Sequence, residues 1–412
     1  MPAKKMDEII VPQSIQSVYG VETGGFDISI GLIFSSEPSV VRISISSEDC
    51  WSSAVSIDKS FWYFLKWGFG RAGIGSLNIN GLEKLSLEKI VMSKKSTSSK
   101  FIDGCIVSPG SYFFTSRLDR LPEGEYGQGL LSLFDNGVFQ FSLRDQQVES
   151  VCIDRNASEP ILCAVPRFDP RVGYYDNQLV SLRDEVYTSD SANMATSVRN
   201  INNHIYVACM DGKVYKNSNG RWELFNAGLE AEDLSYLLAG DSLSVEILTR
   251  VFQNSVHITA INGSAKVLYA GTSSGDVFSC RESEWEKLPT GTKGLLSGIT
   301  LKNETDAYVV GHRGTLLMVS ELGVSPISHE IKDSFICSTM FDGEFYFGGF
   351  KGLYKIENGV PQKVFHMGRD DFTCFALDSH AGEMLVTGDR WFCVYDGRSW
   401  HRETMPGNEN QL

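Results

Sequence analysis

Closely spaced metal ligands are missing from this sequence of 412 residues. Its nine cysteines include no C-x-x-C pair, and no two of its seven histidines are separated by two or four positions. Zinc and redox sites need ligands at such short spacing, so we expect no metal and no cofactor. Most of the thiols are expected to be buried as small apolar side chains, which favours a reducing compartment.

Basic charge is scarce as well. The formal net charge is −14 and the sequence pI is about 5.0. A protein that binds nucleic acid needs clustered Lys and Arg to displace counterions, so no nucleic-acid partner is expected. The balance favours a basic protein partner, although negative charge that serves only solubility is an equal alternative.

Long apolar runs are also absent. No stretch approaches the 18 or so apolar residues of a membrane span, so no membrane partner is expected. The first residues lack the apolar core of a signal peptide. The expected location is therefore the cytoplasm.

What the sequence does contain is a repeated β-hairpin, in which a tight turn joins two apolar strands. The turns lie at Gly212, Gly275, Gly314, Gly352 and Trp391, and the last four are 39, 38 and 39 residues apart. Repeats of about forty residues built from hairpins are typical of β-propeller blades. The segments lack the i, i+3, i+4 apolar spacing that helical repeats require.

Each repeat also contains an inner and an outer strand. We predict the inner strands at residues 196–198, 258–261, 296–301, 336–340 and 373–377, and outer strands at Trp222, Trp285 and Trp400. The regular placement of these tryptophans favours packing between blades over sugar stacking. Four-stranded units of this kind must stack around an axis to bury both faces.

Two weaker copies complete the predicted ring. The hairpin at Gly137 lies 75 residues, or two periods, before Gly212, which leaves room for a degenerate blade at residues 172–186. The predicted fold is all-β: one propeller of seven blades over residues 100–406, with six or eight as alternatives.

Three segments fall outside this pattern. Residues 1–99 are strand-rich and form either an extra blade or a small β-layer, and residues 407–412 are a tail. Residues 230–254 are inserted between two repeats and place Leu243, Ile247 and Val251 at helical spacing. We expect a helix there, either packed on the side of the propeller or used in binding.

Two short motifs invite other interpretations. Gly68–Gly73 fits G-x-G-x-x-G, but an alternating, glycine-containing segment follows it where a dinucleotide site needs a helix. Gly271–Gly275 fits G-x-S-x-G, but it lies in one of the repeated hairpins, whereas a nucleophilic serine needs a strand-to-helix turn. We interpret both as turns.

The hairpins and their tryptophans resemble bacterial propellers related to WD40, kelch and photosystem-assembly-factor repeats, over residues 130–405. Members of this group are mostly interaction scaffolds, and some bacterial ones act as immunity proteins that neutralise a toxin. The resemblance implies a non-catalytic protein-binding role. The alternatives are a hydrolase or lyase with residues gathered from several blades, and a carbohydrate-binding module.

A partner would contact the loops at the ends of the central channel, because rigid strands hold these loops while their sequences are free to vary. Charged loop residues are often merely solvated. The candidate contact residues are His312, Arg313, Arg369, Asp370, Asp371, Asp389, Arg390 and Trp391.

Overall fold

The computed structural model describes the chain from residue 98 to 408, apart from residues 120–126, 157, 190–193, 219, 230–255 and 365–370. Before residue 98 it describes the backbone of five strands. They are β1 (Ile9–Pro12), β2 (Ile15–Tyr19), β3 (Gly31–Phe34), β4 (Pro38–Val41) and β5 (Ile90–Val91). Strands β1 and β4 pair with each other, and β2 lies between β3 and β5.

Seven antiparallel sheets of four strands follow, and within each the strands pair in chain order. Blade 1 comprises β6 (Ser99–Ser108), β7 (Ser111–Leu118), β8 (Gly129–Asp135) and β9 (Val138–Arg144). Blade 2 comprises β10 (Val148–Asp154), β11 (Ile161–Pro166), β12 (Arg171–Tyr175) and β13 (Ser181–Val186). Blade 3 comprises β14 (Ala195–Ile201), β15 (His204–Cys209), β16 (Val214–Ser218) and β17 (Arg221–Leu224).

The remaining blades have the same order. Blade 4 comprises β18 (Ile258–Gly263), β19 (Leu268–Thr272), β20 (Val277–Arg281) and β21 (Glu284–Leu288). Blade 5 comprises β22 (Leu296–Leu301), β23 (Ala307–Gly311), the 3-10 turn His312–Gly314, β24 (Thr315–Ser320) and β25 (Gly323–Pro326). Blade 6 comprises β26 (Phe335–Phe341), β27 (Glu344–Gly349), β28 (Gly352–Glu357) and β29 (Val360–Val364). Blade 7 comprises β30 (Ala376–His380), β31 (Glu383–Thr387), β32 (Trp391–Tyr395) and β33 (Trp400–Thr404).

The first strands of the seven blades contact one another in sequence, and β30 contacts β6 to close the ring. The chain therefore folds as the predicted seven-bladed β-propeller. The second strand of each blade lies between two neighbouring blades, which explains why segments such as β19 are buried along their whole length. The fourth strands form the rim and are polar, as in the mostly exposed β13.

A repeated hydrogen bond links neighbouring first strands. Six of the seven first strands have an irregularity in pairing at their start, which places one extra residue there. In blades 3, 4 and 5 this extra residue is Thr196, Thr259 and Ser297, respectively. Its hydroxyl donates to the first carbonyl of the next blade's inner strand. Small hydroxyl residues at the strand start thus hold successive blades in register.

Each blade is a continuous piece of chain, so the ring closes without a shared strand, through side chains and a backbone hydrogen bond from Phe101 to Asp389. Asn408 is fully buried and both donates to and accepts from the backbone of Ser99. Arg390 donates to both carboxylate oxygens of Asp119, at 2.5 and 3.1 Å. We call Ser99, Asp119, Arg390 and Asn408 the closure clasp.

One detail of the repeat alignment was wrong, although the blade count was right. Gly137 lies in the turn between β8 and β9, the third and fourth strands of blade 1, whereas Gly212 lies between the second and third strands of blade 3. The corresponding connection of blade 1 spans residues 119–128, too long to show a tight hairpin turn. The predicted helical insertion, residues 230–254, lies outside the described residues.

Candidate protein-binding face

The ring has two faces that differ in the length of their connections. The loop face carries the turns between second and third strands and the described ends of the links between blades, including residues 187–189, 225–229 and 371–375. The opposite turn face carries the other two turns of each blade, which are mostly short. Long connections on rigid strands are where binding residues concentrate, so the loop face is the candidate site.

The structure places all six described candidate contact residues on the loop face. His312 and Arg313 form the turn of blade 5, and Asp371 belongs to the link between blades 6 and 7. The other three, Asp389, Arg390 and Trp391, lie at the turn of blade 7. Arg369 and Asp370 lie outside the described residues.

The blade 7 residues are also part of the ring itself. Arg390 belongs to the closure clasp, and the carbonyl of Asp389 accepts a hydrogen bond from Phe101 of blade 1. Trp391 is 5% exposed and packs against Phe372. Through these contacts the three residues help to hold the ring together, and binding of a partner to them stays a prediction.

Asp333 binds the link between blades 5 and 6 to the turn of blade 6, and the sequence pattern did not predict it. The residue is buried, and its carboxylate accepts hydrogen bonds from the backbone N–H groups of Ser334 (2.7 Å) and Lys351 (2.9 Å) and from the hydroxyl of Tyr354 (3.0 Å). Burial and this neighbouring carboxylate raise the pKa of Tyr354, so the phenol stays protonated and keeps donating. The Ser334 hydroxyl in turn accepts from the backbone N–H of Arg313.

Phe350 is the exposed apolar centre of this region, and the sequence analysis also missed it. Half of its surface is exposed, its ring centroid lies 6.3 Å from that of His312, and its carbonyl accepts from Thr373. Arg313 has a φ of 58°, in the left-handed region that disfavours side chains. Exposed residues held in such a conformation on a rigid support are suited to recognition. We call His312, Arg313, Lys332, Phe350 and Lys351 the blade 5–6 patch.

The central channel contains a second group of charged side chains. Asp103 accepts hydrogen bonds from the Ser150 hydroxyl and the Val151 N–H of blade 2, and Arg199 of blade 3 lies 3.6 Å from it. The Arg199 side chain is 39% exposed although strands surround it, so solvent reaches the channel. Asp378 accepts from the Ile106 N–H.

Two further channel residues lie toward the turn face. Arg155 donates to the carbonyls of Ile106 and Val107, and His380 follows Asp378 on β30. Burial raises the pKa of Asp378, while burial and then Arg155 lower the pKa of His380. The arrangement combines a carboxyl group and an imidazole, both with shifted pKa values, which are groups able to transfer protons.

The remaining motifs are structural. Ser273 lies in a hairpin turn, as predicted for Gly271–Gly275, whereas Gly68–Gly73 lies outside the described residues. Trp285 is buried and donates to the Phe225 carbonyl of the preceding blade, and Trp222 donates to Glu185 of blade 2, which confirms packing between blades. The eight described cysteines are free thiols, and seven of them are buried.

The described ranges contain neither a metal-binding cluster nor a membrane-spanning helix. No group of three or more His, Cys, Asp or Glu side chains there is placed to hold a metal ion. No helix in the same ranges has the length and hydropathy that a membrane crossing requires.

Comparison with known proteins shows the fold. No family model and no curated protein matches this sequence. Three solved structures align with 71% of the chain. They are a catalytically inactive virginiamycin B lyase from Staphylococcus aureus with quinupristin (8% identity, 93% of that chain, TM-score 0.54), a streptogramin B lyase (11%, 91%, 0.52) and the WD40 propeller domain of Doa1 (9%, 93%, 0.53).

Proposed function

We propose that this chain is a non-catalytic scaffold that binds a partner protein on the loop face. The observation that carries the proposal is Phe350, a half-exposed aromatic residue next to Lys351, whose backbone N–H is bound by the buried Asp333 carboxylate. Aromatic residues and arginine dominate the binding energy of protein interfaces, because they contribute large contact areas with few rotatable bonds. Pre-organisation by Asp333 lowers the entropy lost on binding.

The finer form of the proposal is a cytoplasmic immunity protein that neutralises a toxin by steric occlusion. It is supported by the general resemblance to bacterial propeller repeats, a group that includes some immunity proteins, and by the absence of a recognisable catalytic motif in the sequence. The net charge of −14 favours a basic partner, attracted over long range. Protection of cells that produce the captured partner would be the direct test of this form.

The experiment is a pull-down from a lysate of the source organism with the full chain as bait. We expect one stoichiometric protein with the native chain and its loss with Phe350→Ala. Val360→Ala is the matched control, because Val360 is 53% exposed on the same blade but lies next to a turn-face turn. Recovery of no stoichiometric protein, or equal recovery with Phe350→Ala, would contradict the proposal.

A second candidate function is a lyase that works in the channel. Asp378 and His380, with their shifted pKa values, favour it, as does the likeness in fold to two lyases. The test is incubation of the chain with quinupristin and with other cyclic peptides, followed by mass spectrometry. Turnover that Asp378→Asn and His380→Ala abolish would establish the lyase and displace the scaffold as the main function.

A further inference from the structure

We propose that the blade 5–6 patch binds an acidic segment of the partner protein, with an apolar side chain of that segment seated on Phe350. The inference rests on the proposed function and deepens it by naming the chemistry of the partner at the contact. It is carried by the arrangement of charges on the loop face.

Several cations elsewhere on the described ring are matched by carboxylates, although others there, such as Lys293 and Lys302, form no salt bridge either. Matched pairs include Arg167–Glu149, Arg171–Asp169, Lys213–Asp211, Lys266–Glu304, Lys287–Asp276, Lys355–Glu357 and Arg390–Asp119. In the part of the chain that the structure describes, Arg313, Lys332 and Lys351 form no salt bridge, and the first two make no side-chain hydrogen bond. Three unmatched cations in a chain of net charge −14 leave a local charge for a partner to complement.

The three cations belong to one rigid unit. The backbone of Arg313 is bound to Ser334, that of Lys351 is bound to Asp333, and the Lys351 ammonium donates to the carbonyl of Lys332 at 3.0 Å. The Asp333 carboxylate is buried and saturated by donors, which leaves it unavailable as a counterion at the surface. The unit therefore fixes the backbone from which these cations extend beside Phe350, so that binding has to order only side chains.

Among the described residues, acidic neighbours leave the balance positive. Glu330 is exposed in the same link between blades, and Asp371 pairs with Lys363 at 2.6 Å, although the pKa of Asp371 is lowered by that hydrogen bond and also by the charge of Lys351. A carboxylate-bearing segment with a Leu or Phe side chain would satisfy both the cations and the exposed ring. A basic segment would leave them unmatched and would add like-charge repulsion.

The net charge of the chain leads to a different expectation, a basic partner. Net charge acts over distances up to the Debye length and governs encounter, whereas the patch acts at contact and governs what stays bound. The two expectations differ for a peptide probe. That difference makes the inference testable without the natural partner.

The experiment measures fluorescence anisotropy of two short labelled peptides with the full chain. Both contain the same Leu and Phe residues; one carries Asp and Glu, and the other carries Lys at those positions. We expect the acidic peptide to bind at least about tenfold more tightly, and Arg313→Glu and Lys332→Glu each to weaken it by about tenfold. Arg398→Glu is the matched control, since Arg398 is exposed on the turn face.

Equal or tighter binding of the basic peptide overturns the inference, as does an effect of Arg398→Glu equal to that of Arg313→Glu. The pull-down separates this failure from failure of the scaffold function. A partner that is lost with Phe350→Ala but retained with Arg313→Glu and Lys332→Glu leaves the scaffold in place and removes the acidic segment. Absence of any partner removes the scaffold function whatever the peptides show.

Discussion

The closure clasp provides a direct test of how this ring is held shut. Arg390 and Asp119 are 16% and 26% exposed, and they join blade 7 to the end of β7 in blade 1. Replacing Arg390 by Ala leaves a partly buried carboxylate that keeps only the Ser98 hydroxyl of its two side-chain donors. If Arg390 served only a partner, the same change would leave the stability of the free chain unaltered.

The size of the effect follows from the burial of the pair. Two unit charges about 4 Å apart attract each other by about 4 kcal/mol at an effective dielectric constant of about 20. Desolvation of both groups offsets part of this attraction, which leaves a coupling of about 1.5–2 kcal/mol. Arg390→Ala alone should cost about 2–3 kcal/mol, because it also strands the Asp119 carboxylate.

The assay is a double-mutant cycle of Arg390→Ala and Asp119→Ala, with unfolding by urea so that ionic strength stays constant. The reference cycle uses Lys363 and Asp371, whose carboxylate is 78% exposed, and should give a clearly smaller coupling, because solvent screens an exposed pair. A coupling at Arg390–Asp119 no larger than at Lys363–Asp371 would refute the assignment of the clasp as the ring closure.

Three further predictions concern the closure clasp and the residues in and around the blade 5–6 patch. Asp333→Ala should destabilise the chain by about 3 kcal/mol in urea unfolding, because Tyr354 and two N–H groups lose their acceptor, and Asp333→Asn should cost less. Arg313→Gly should stabilise the free chain by about 1 kcal/mol through relief of the positive φ, while it weakens partner binding in the pull-down. The pKa of Asp119 is lowered: burial alone would raise it, but hydrogen bonds from Arg390 and Ser98 outweigh burial. The stabilising contribution of Asp119 should therefore be complete above its unfolded-state pKa and be lost as pH falls through its folded-state pKa. Unfolding free energies measured across the acid range should show this loss in the native chain and not in Asp119→Asn.

The four-stranded blades could be predicted from the sequence because the features that produce them lie close together in the chain. Glycine at the tight turns, apolar strands on either side and a period near 39 residues each arise within one repeat. A sheet with two apolar faces has to be covered by its neighbours. The error at Gly137 has a local cause too: a hairpin between third and fourth strands resembles one between second and third strands when the true connection is long.

Only part of the candidate site could be predicted from the sequence. His312 and Arg313 could be identified because they interrupt a repeated turn with charge. Phe350 and Lys351 occupy the same turn one blade later, but an aromatic residue beside Gly348 and Gly349 suggests a strand end. Thr196 and Thr259 recur at the start of successive inner strands, and this repetition could have predicted the hydrogen bonds between neighbouring blades.

The sequence by itself determined that this chain forms four-stranded repeats that stack around an axis, because turns, alternation and repeat length are properties of neighbouring residues. It favoured seven blades but left six or eight open, and the closed ring decided the count. Tertiary structure alone decided that Arg390 meets Asp119, 271 positions away. It also decided that Asp333 binds the backbone of Lys351 and that Ser334 binds the backbone of Arg313. Side chains on separate blades are brought together only when the ring closes. The positions of the clasp and of the binding patch therefore follow from the assembled ring and from no single repeat.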